Sequence, residues 1–312
     1  MRREGSPLHG LGVVTLKELS DHLTSARMRV LEWLVVLVAL AAVYAAIQTI
    51  RDVSAEDPFL FLRLFTTAKQ PLPSFVAFLG FLVPLMAIGL GFDAVNGEHN
   101  RRTLSRILSQ PIYRDALLFG KFLAGIAVIS ISLIALWLLV IGLGLLMLGV
   151  PPGGEEMARA FIFLLVTIAY AAVWLALAML FSVMFRSAAT AALVTLGLWL
   201  FLSVIWPALA PAIAQAIVSP EHQALLLTTG QMLARISPST LFGETVLAIL
   251  HPSTRTLGPV YLSQLQGAVI GAPLPLTQSI LVAWPQIVGM IAASILLFVG
   301  AYVAFQRQEV RA

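Results

Sequence analysis

Long apolar runs separated by short charged stretches make up most of the chain. A helix rises 1.5 Å per residue, so crossing a hydrocarbon core of about 30 Å takes roughly 20 residues. Six stretches reach that length. The first lies between Arg29 and Arg51, with Glu32 near its start. The second runs from Leu72 to Phe92 and stops at Asp93. The third runs from Phe122 to Val150 and stops at Pro151-Pro152-Gly153-Gly154. The fourth runs from Ala160 to Phe185, and Arg186 and Ser187 turn the chain into the fifth, from Ala188 to Trp206. The sixth runs from Pro285 to Phe305. Gly142 and Gly144 in the third span are expected to let another helix approach closely.

Two polar segments carry patterns of their own. In VVTLKELSDHLTSA, Val13, Leu16, Leu19, Leu23 and Ala26 recur at helical spacing, while Lys17, Glu18, Asp21, His22 and Ser25 lie elsewhere on the wheel. That pattern predicts an amphipathic helix lying at the membrane surface before the first span. The connection 207–284 is broken by prolines at 207, 211, 220, 238, 252, 259, 273 and 275 and carries few charges. It is expected to pack against the outer leaflet or to dip into the bundle as a re-entrant piece. Within it SPSTLFGETVLAIL reads as a helix, with Ser237 as cap and Pro238 at the first helical position.

Composition agrees with the pattern. Of 312 residues, 59% are hydrophobic and 11% charged, against about 25% charged in an ordinary soluble domain. The net charge of +4 is not a nucleic-acid signal, because the basic residues cluster between apolar spans. Arg2, Arg3, Lys17, Arg27 and Arg29, the loop cations Arg101, Arg102, Arg106, Arg114 and Lys121, then Arg186, Arg307 and Arg311 fall on one side. The positive-inside rule predicts that this side is cytoplasmic, with both termini inside. The chain has no cysteine, which excludes disulfides and thiolate chemistry.

Motifs for catalysis are few. No segment fits the phosphate-cradling G-x-x-x-x-G-K-[ST]; Gly120-Lys121 is followed by Phe122, which cannot ligate magnesium. The five histidines are scattered, so no metal site is expected. The segment EEMAR, Glu155 to Arg159, loosely resembles the paired-glutamate motif of intramembrane CAAX-type proteases. Its spacing is one residue short, and no embedded histidines follow. A solvated outer loop after a Pro-Gly turn is the simpler reading, with an intramembrane enzyme built on Glu155 and Glu156 as its alternative.

Charge gathers most densely from Asn96 to Lys121. Leu104, Ile107 and Leu108 share one helical face, Arg101 and Arg102 lie on others, and Pro111 ends the run. Glu98 precedes Arg102 by four residues, a favourable helix pair. Such a helix serves topology and lipid headgroups alone, or docks a soluble partner. Here the chain resembles a family. FDAVNGEHNRRTLSRILSQPIYRDALLFGKFLAG is similar to the signature of ABC-2 type transporter permeases, through Asp93, Glu98, Thr103, Leu104, Leu108, Ser109, Pro111, Arg114, Gly120 and Lys121. Arg102 departs from it, standing where the family usually has glycine. TLKEL at Thr15–Leu19 and SPSTLFGE at Ser237–Glu244 resemble the family's leading amphipathic helix and a segment before its last span.

The resemblance implies one all-α permease domain over 1–312. It comprises a cytoplasmic segment 1–29 with the interfacial helix, spans one to five in 30–206, an extracytoplasmic or re-entrant segment 207–284, span six in 285–306 and a cytoplasmic tail 307–312. It implies a coupling helix between spans two and three, and residence in a prokaryotic inner membrane. It implies two cytoplasmic ATPase subunits, which would bind ATP and magnesium, this chain carrying no cofactor of its own. A second permease subunit would complete the complex, as a homodimer or with a related chain, together with membrane lipids and an outer partner. The ATPase-coupling residues would be Lys17, Glu18, Glu98, Arg101, Arg102, Thr103, Leu104, Arg106, Leu108, Pro111 and Arg114. Glu98, Arg101, Arg102 and Arg106 would orient the contact, with Leu104, Ile107 and Leu108 anchoring it or burying toward the spans. Members of the family export drugs, peptides, lipids or sodium, or serve copper-site maturation of nitrous-oxide reductase, and no motif here selects among these. A non-transporting membrane assembly subunit is a further reading.

Overall fold

The computed structural model describes residues 10–50, 59–70, 72–100, 113–149, 151–257 and 273–307. These are almost entirely helical. A leading helix α1 (Leu11–Thr24) is followed by α2 (Ala26–Ile50), a 3₁₀ turn (Leu60–Leu62) and a short α3 (Arg63–Thr66). Then come α4 (Phe75–Gly91), α5 (Asn96–Asn100), α6 (Arg114–Leu148), α7 (Gly154–Met184) and α8 (Ala188–Leu200). A π turn (Phe201–Ile205) leads into α9 (Trp206–Ile217), then α10 (Gln223–Ala234), α11 (Pro238–Leu250) and α12 (Leu276–Arg307). Among the described residues the extended pairing is limited to an isolated bridge between Lys69 and Leu72.

Among the described residues six helices are long and apolar enough to cross a membrane: Ala26–Ile50, Phe75–Glu98, Arg114–Leu148, Gly154–Met184, Ala188–Ile217 and Leu276–Arg307. Several run past the ends read from sequence. Hydropathy places the third start at Phe122, yet α6 begins at Arg114; α7 begins at Gly154 rather than Ala160. The fifth span continues beyond Trp206 to Ile217, and α12 begins nine residues before Pro285. Prolines cause the last two differences. Pro207 opens α9, while Pro211 and Pro285 lie inside helices, tolerated where neighbouring elements satisfy the backbone groups a proline frees.

The bundle is built around α7. In its most apolar window 67% of residues are buried, against 17% in the fifth and sixth spans. Tyr170 and Trp174 on α7 are wholly buried, and α7 packs against α4, α6, α8, α11 and α12. The two least covered spans thus present apolar flanks outward, as a lipid environment requires. Gly144 behaves as its position suggests: a Cβ there would come within 2.5 Å of Leu64 and 2.8 Å of Phe61. Gly142 faces open space.

After the fifth span the described residues form two further helices, α10 and α11. Helices α10 and α11 meet at a bend of 109°, the geometry of a re-entrant hairpin or a broken span. The predicted helix over SPSTLFGETVLAIL is present, with Pro238 in its first turn, but Ser237 makes no side-chain cap. Glu244 ties the hairpin together and to α12. It accepts from Arg235 Nε at 2.8 Å, Gln231 Nε2 at 3.1 Å and Gln286 Nε2 at 2.8 Å.

EEMAR is not a solvated loop. Glu155 and Glu156 form the first turn of α7, where carboxylates complement the helix dipole. Glu156 is buried, accepting from the backbone N–H of Phe61 at 2.8 Å and of Gly153 at 2.8 Å. Arg159 has no exposed surface. Its guanidinium donates to Glu155, to the Ile249 carbonyl at 2.8 Å, to Ser279 Oγ at 3.1 Å and to the Leu274 carbonyl at 2.5 Å, and lies 5.7 Å from the Phe59 ring. Five planar donors suit one side chain to fasten α7, the end of α11 and the start of α12. Arg159→Ala leaves two buried carbonyls and Ser279 without their donor. The expected loss is about 3 kcal/mol or more, with faster hydrogen exchange at the end of α11 and the start of α12 as the check.

Candidate functional site

Where α1 crosses α6, the sequence places a glycine before a lysine. A Cβ on Gly120 would lie 2.6 Å from Val14 Cγ1, so only glycine allows α1 this close. The same approach brings Glu18, one turn after Val14, onto Lys121. Lys121 Nζ lies 3.0 Å from Glu18 Oε1 and 2.7 Å from Glu98 Oε1. The ammonium side chain is 5% exposed and the two carboxylates 10% and 13%. Two anions around one cation would leave an excess negative charge, and Lys17 offsets it from the rim. Its Nζ is 2.8 Å from Glu18 and 3.0 Å from Asp21, with the side chain still 55% exposed. One cluster therefore joins three elements: α1, the α5 segment that opens the charged loop, and α6.

Electrostatics favour the charged forms. Burial pushes the Glu18 carboxyl up, but the charge of Lys121 and hydrogen bonds from Lys17 and Lys121 outweigh it, holding Glu18 below the usual carboxylate range. For Lys17 burial acts downward, and the hydrogen bonds to Glu18 and Asp21 reverse it, so its ammonium is held above the ordinary lysine value. His22, on the same helix, is lowered by burial, which keeps its imidazole neutral.

A second clasp lies beside the first. Arg27 at the start of α2 forks onto Asp93 at 3.0 and 3.3 Å, with its guanidinium 5.0 Å from the Phe92 ring. Ser182 Oγ on α7 accepts from the backbone N–H groups of Val95 and Asn96 at 3.0 and 3.3 Å. Asn96 Nδ2 donates to the Phe185 carbonyl at 3.2 Å. These bonds fix the turn between α4 and α5 onto the end of α7, occupying N–H groups that a helix start leaves free. At the far edge, Asp115 accepts from Tyr302 at 3.2 Å and from Gln306, while Arg114 reaches the Gln306 carbonyl at 3.5 Å and sits 5.7 Å from the Phe305 ring. The first turn of α6 is thereby bound to the last turns of α12, on the same side as α1.

The predicted site residues divide accordingly. Arg101, Arg102, Thr103, Leu104, Arg106, Leu108 and Pro111, with Ile107, lie outside the described residues. Lys17 is exposed beside the cluster, and Arg114 opens α6 and reaches α12. Glu98 is paired with Lys121, where sequence spacing suggests Arg102. Glu18 points inward: on α1 the buried residues are Val14 and Glu18, while Val13 and Leu16 are 70% and 68% exposed. Val13 and Leu16 thus face away from the bundle while Leu19 packs against it, and from the ionic face Glu18 turns inward while Lys17 and Asp21 stay exposed. Lys121, Asp93, Arg27, Ser182 and Asp115 are the residues that site selection from sequence missed. Lys121 and Asp93 stand in the signature, so an acidic partner for the Gly-Lys pair was the available signal. Among the described residues no group of three or more His, Asp or Glu is placed to hold a metal ion.

Residues 13–310 match the family described as ABC-2 family transporter protein. The chain is 26% identical over 299 residues to the probable ABC transporter permease protein NosY of Stutzerimonas stutzeri, covering 95% of this chain and 97% of that one. It is 28% identical over 222 residues to the probable ABC transporter permease protein NosY of Pseudomonas aeruginosa, covering 69% and 72%.

The cluster makes α1 docking dependent on charge. Lys121→Met leaves Glu18 and Glu98 facing each other in a buried setting and is expected to cost about 3–5 kcal/mol. Adding Glu18→Gln and Glu98→Gln removes that repulsion and recovers most of the loss. Because Glu18 is held below the ordinary carboxylate range, its contribution is complete above about pH 4.3 and is lost as pH falls through its lowered value. Hydrogen exchange of α1 against pH, in wild type and both variants, measures each effect.

Proposed function

The chain belongs to the ABC-2 family of transporter proteins, and from that premise we propose that it couples ATP hydrolysis by a separate cytoplasmic ATPase to movement of a cargo, or of force, across the membrane. It is the multi-pass membrane subunit of an ABC transporter. One observation carries the coupling reading: the Glu18–Lys121–Glu98 cluster ties the leading helix and the opening of the charged loop to the third span. A push on the loop passes into α6 through Lys121 and into α7 through Ser182 and Asn96.

In this mechanism the side bearing α1, Lys121 and the loop arginines is cytoplasmic. The segment containing Arg101, Arg102, Thr103, Leu104, Arg106, Leu108 and Pro111 rests on the ATPase, with Lys17 and Arg114 flanking it. Glu18 and Glu98 take a different part from surface contact: they tether. Nucleotide and magnesium are held by the ATPase, two per complex, and the permease acts as a pair. The outward apolar flanks of spans five and six leave room for lipid and for a second copy. Glu155 and Glu156 serve the fold in this reading, since Glu156 is taken up by backbone donors and Glu155 by Arg159.

The measurement is co-purification of the ATPase with the permease in detergent. Reversing both loop charges, Arg101→Glu with Arg106→Glu, is expected to weaken association about 100-fold, as losing two charge pairs does. Lys121→Met is expected to leave the ATPase bound while lowering its coupling to the spans. Undiminished binding after the double reversal would remove the loop from the contact.

A further inference from the structure

Proline at position 84 leaves a mark on the middle of the bundle. It lies inside α4 and has no N–H, so the Gly80 carbonyl four residues earlier loses its helical donor. In an apolar interior such a carbonyl must be satisfied from elsewhere. Tyr170 on α7 does this, its hydroxyl 3.0 Å from the Gly80 oxygen. The same hydroxyl is 2.9 Å from Ser239 Oγ at the start of α11, and Ser239 is 2.6 Å from Ser203 Oγ in the π turn of the fifth span.

Proton counting gives this chain a direction. Each hydroxyl has one proton, and a carbonyl only accepts. Tyr170 spends its proton on Gly80, so its oxygen must accept from Ser239. Ser239 has then used its own, so it accepts from Ser203. Three hydroxyls from α7, the α11 end of the hairpin and the fifth span thus take their order from one carbonyl on the second span. If that carbonyl withdraws, the Tyr170 proton is released and the order can reverse. Two arrangements of the same groups follow, as a two-state element needs.

We infer that Tyr170 and Ser239 are positioning residues of the transport cycle, passing a shift of α4 at Pro84 to the α10–α11 hairpin and the π turn of span five. The inference rests on the proposed coupling reading. The phenol ring of Tyr170 is stacked on Phe242 of α11, centroids 4.4 Å apart at 13°, which keeps the hydroxyl in line through small movements. The π turn fits the role, since an i→i+5 turn inside a span is a common place for local rearrangement.

The chain has no cysteine, so single reporters are unambiguous. A bimane fluorophore is placed on Ser20→Cys in α1 or Gln223→Cys in α10, both exposed. The permease, complexed with its co-purifying ATPase in lipid nanodiscs, is then trapped with ATP and vanadate. Wild type is expected to respond at both positions. Tyr170→Phe, which keeps the ring stack, and Pro84→Ala, which returns an N–H to Gly80, are expected to keep the α1 response. Both are expected to cut the α10 response about tenfold, the factor one buried hydrogen bond carries. Ser239→Ala, at a half-buried position, gives the same result and decides the matter if Tyr170→Phe does not fold; Ser239→Thr restores the response. A full α10 response in Tyr170→Phe or Ser239→Ala overturns the relay while leaving the coupling reading intact. No α1 response in wild type overturns the coupling reading, and the relay with it.

Discussion

An ammonium group withdrawn from water must find its counter-charge inside the protein, and Lys121 finds two, Glu18 and Glu98. Much of the α1 side depends on this. The pairing needs α1 to lie against α6, which needs Gly120 to have no side chain. It also needs the start of the charged loop to be brought back to α6, which the bonds from Ser182 and Asn96 to neighbouring backbone secure. Remove the lysine and the two carboxylates repel; remove the glycine's vacancy and the lysine loses reach.

The same constraint acts at other depths with different chemistry. On the side opposite α1, Arg159 answers carbonyls at the end of α11 and before α12. In the middle, where no charge is available, hydroxyls answer the carbonyl that Pro84 leaves open. At each level a backbone or side-chain group that water would otherwise satisfy is satisfied by another helix. Those bonds tie α1, α5 and α6 at one end and α7, α11 and α12 at the other, with Tyr170 between.

The amphipathic reading of α1 shows how this changes an interpretation. Apolar periodicity correctly indicates a helix, and the structure has one from Leu11 to Thr24. Periodicity alone puts the apolar stripe against the protein or the membrane and the ionic face in water. Here the protein claims Val14 and Glu18, because Lys121 offers more to a carboxylate than a leucine would offer to α6. Val13 and Leu16 are left exposed on the outer face of α1.

Span number, the leading helix, the helix beginning at Pro238 and the family signature follow from the sequence, because a bilayer demands about 20 apolar residues per crossing and turn chemistry is local. Span ends do not. Hydropathy starts the third span at Phe122 and the sixth at Pro285, but α6 begins at Arg114 and α12 at Leu276, since the Arg114 contact with α12 and the packing around Pro285 are supplied by distant residues. Arg159 reads as solvated in sequence and is wholly buried, because its partners Ile249, Leu274 and Ser279 are 90 or more residues away. The Gly120-Lys121 pair is legible as a motif, but which acids it gathers is settled only when α1 and α5 are folded against α6. Local patterns fix where helices form; the pairing of charges across helices is a long-range choice, and only the tertiary structure makes it.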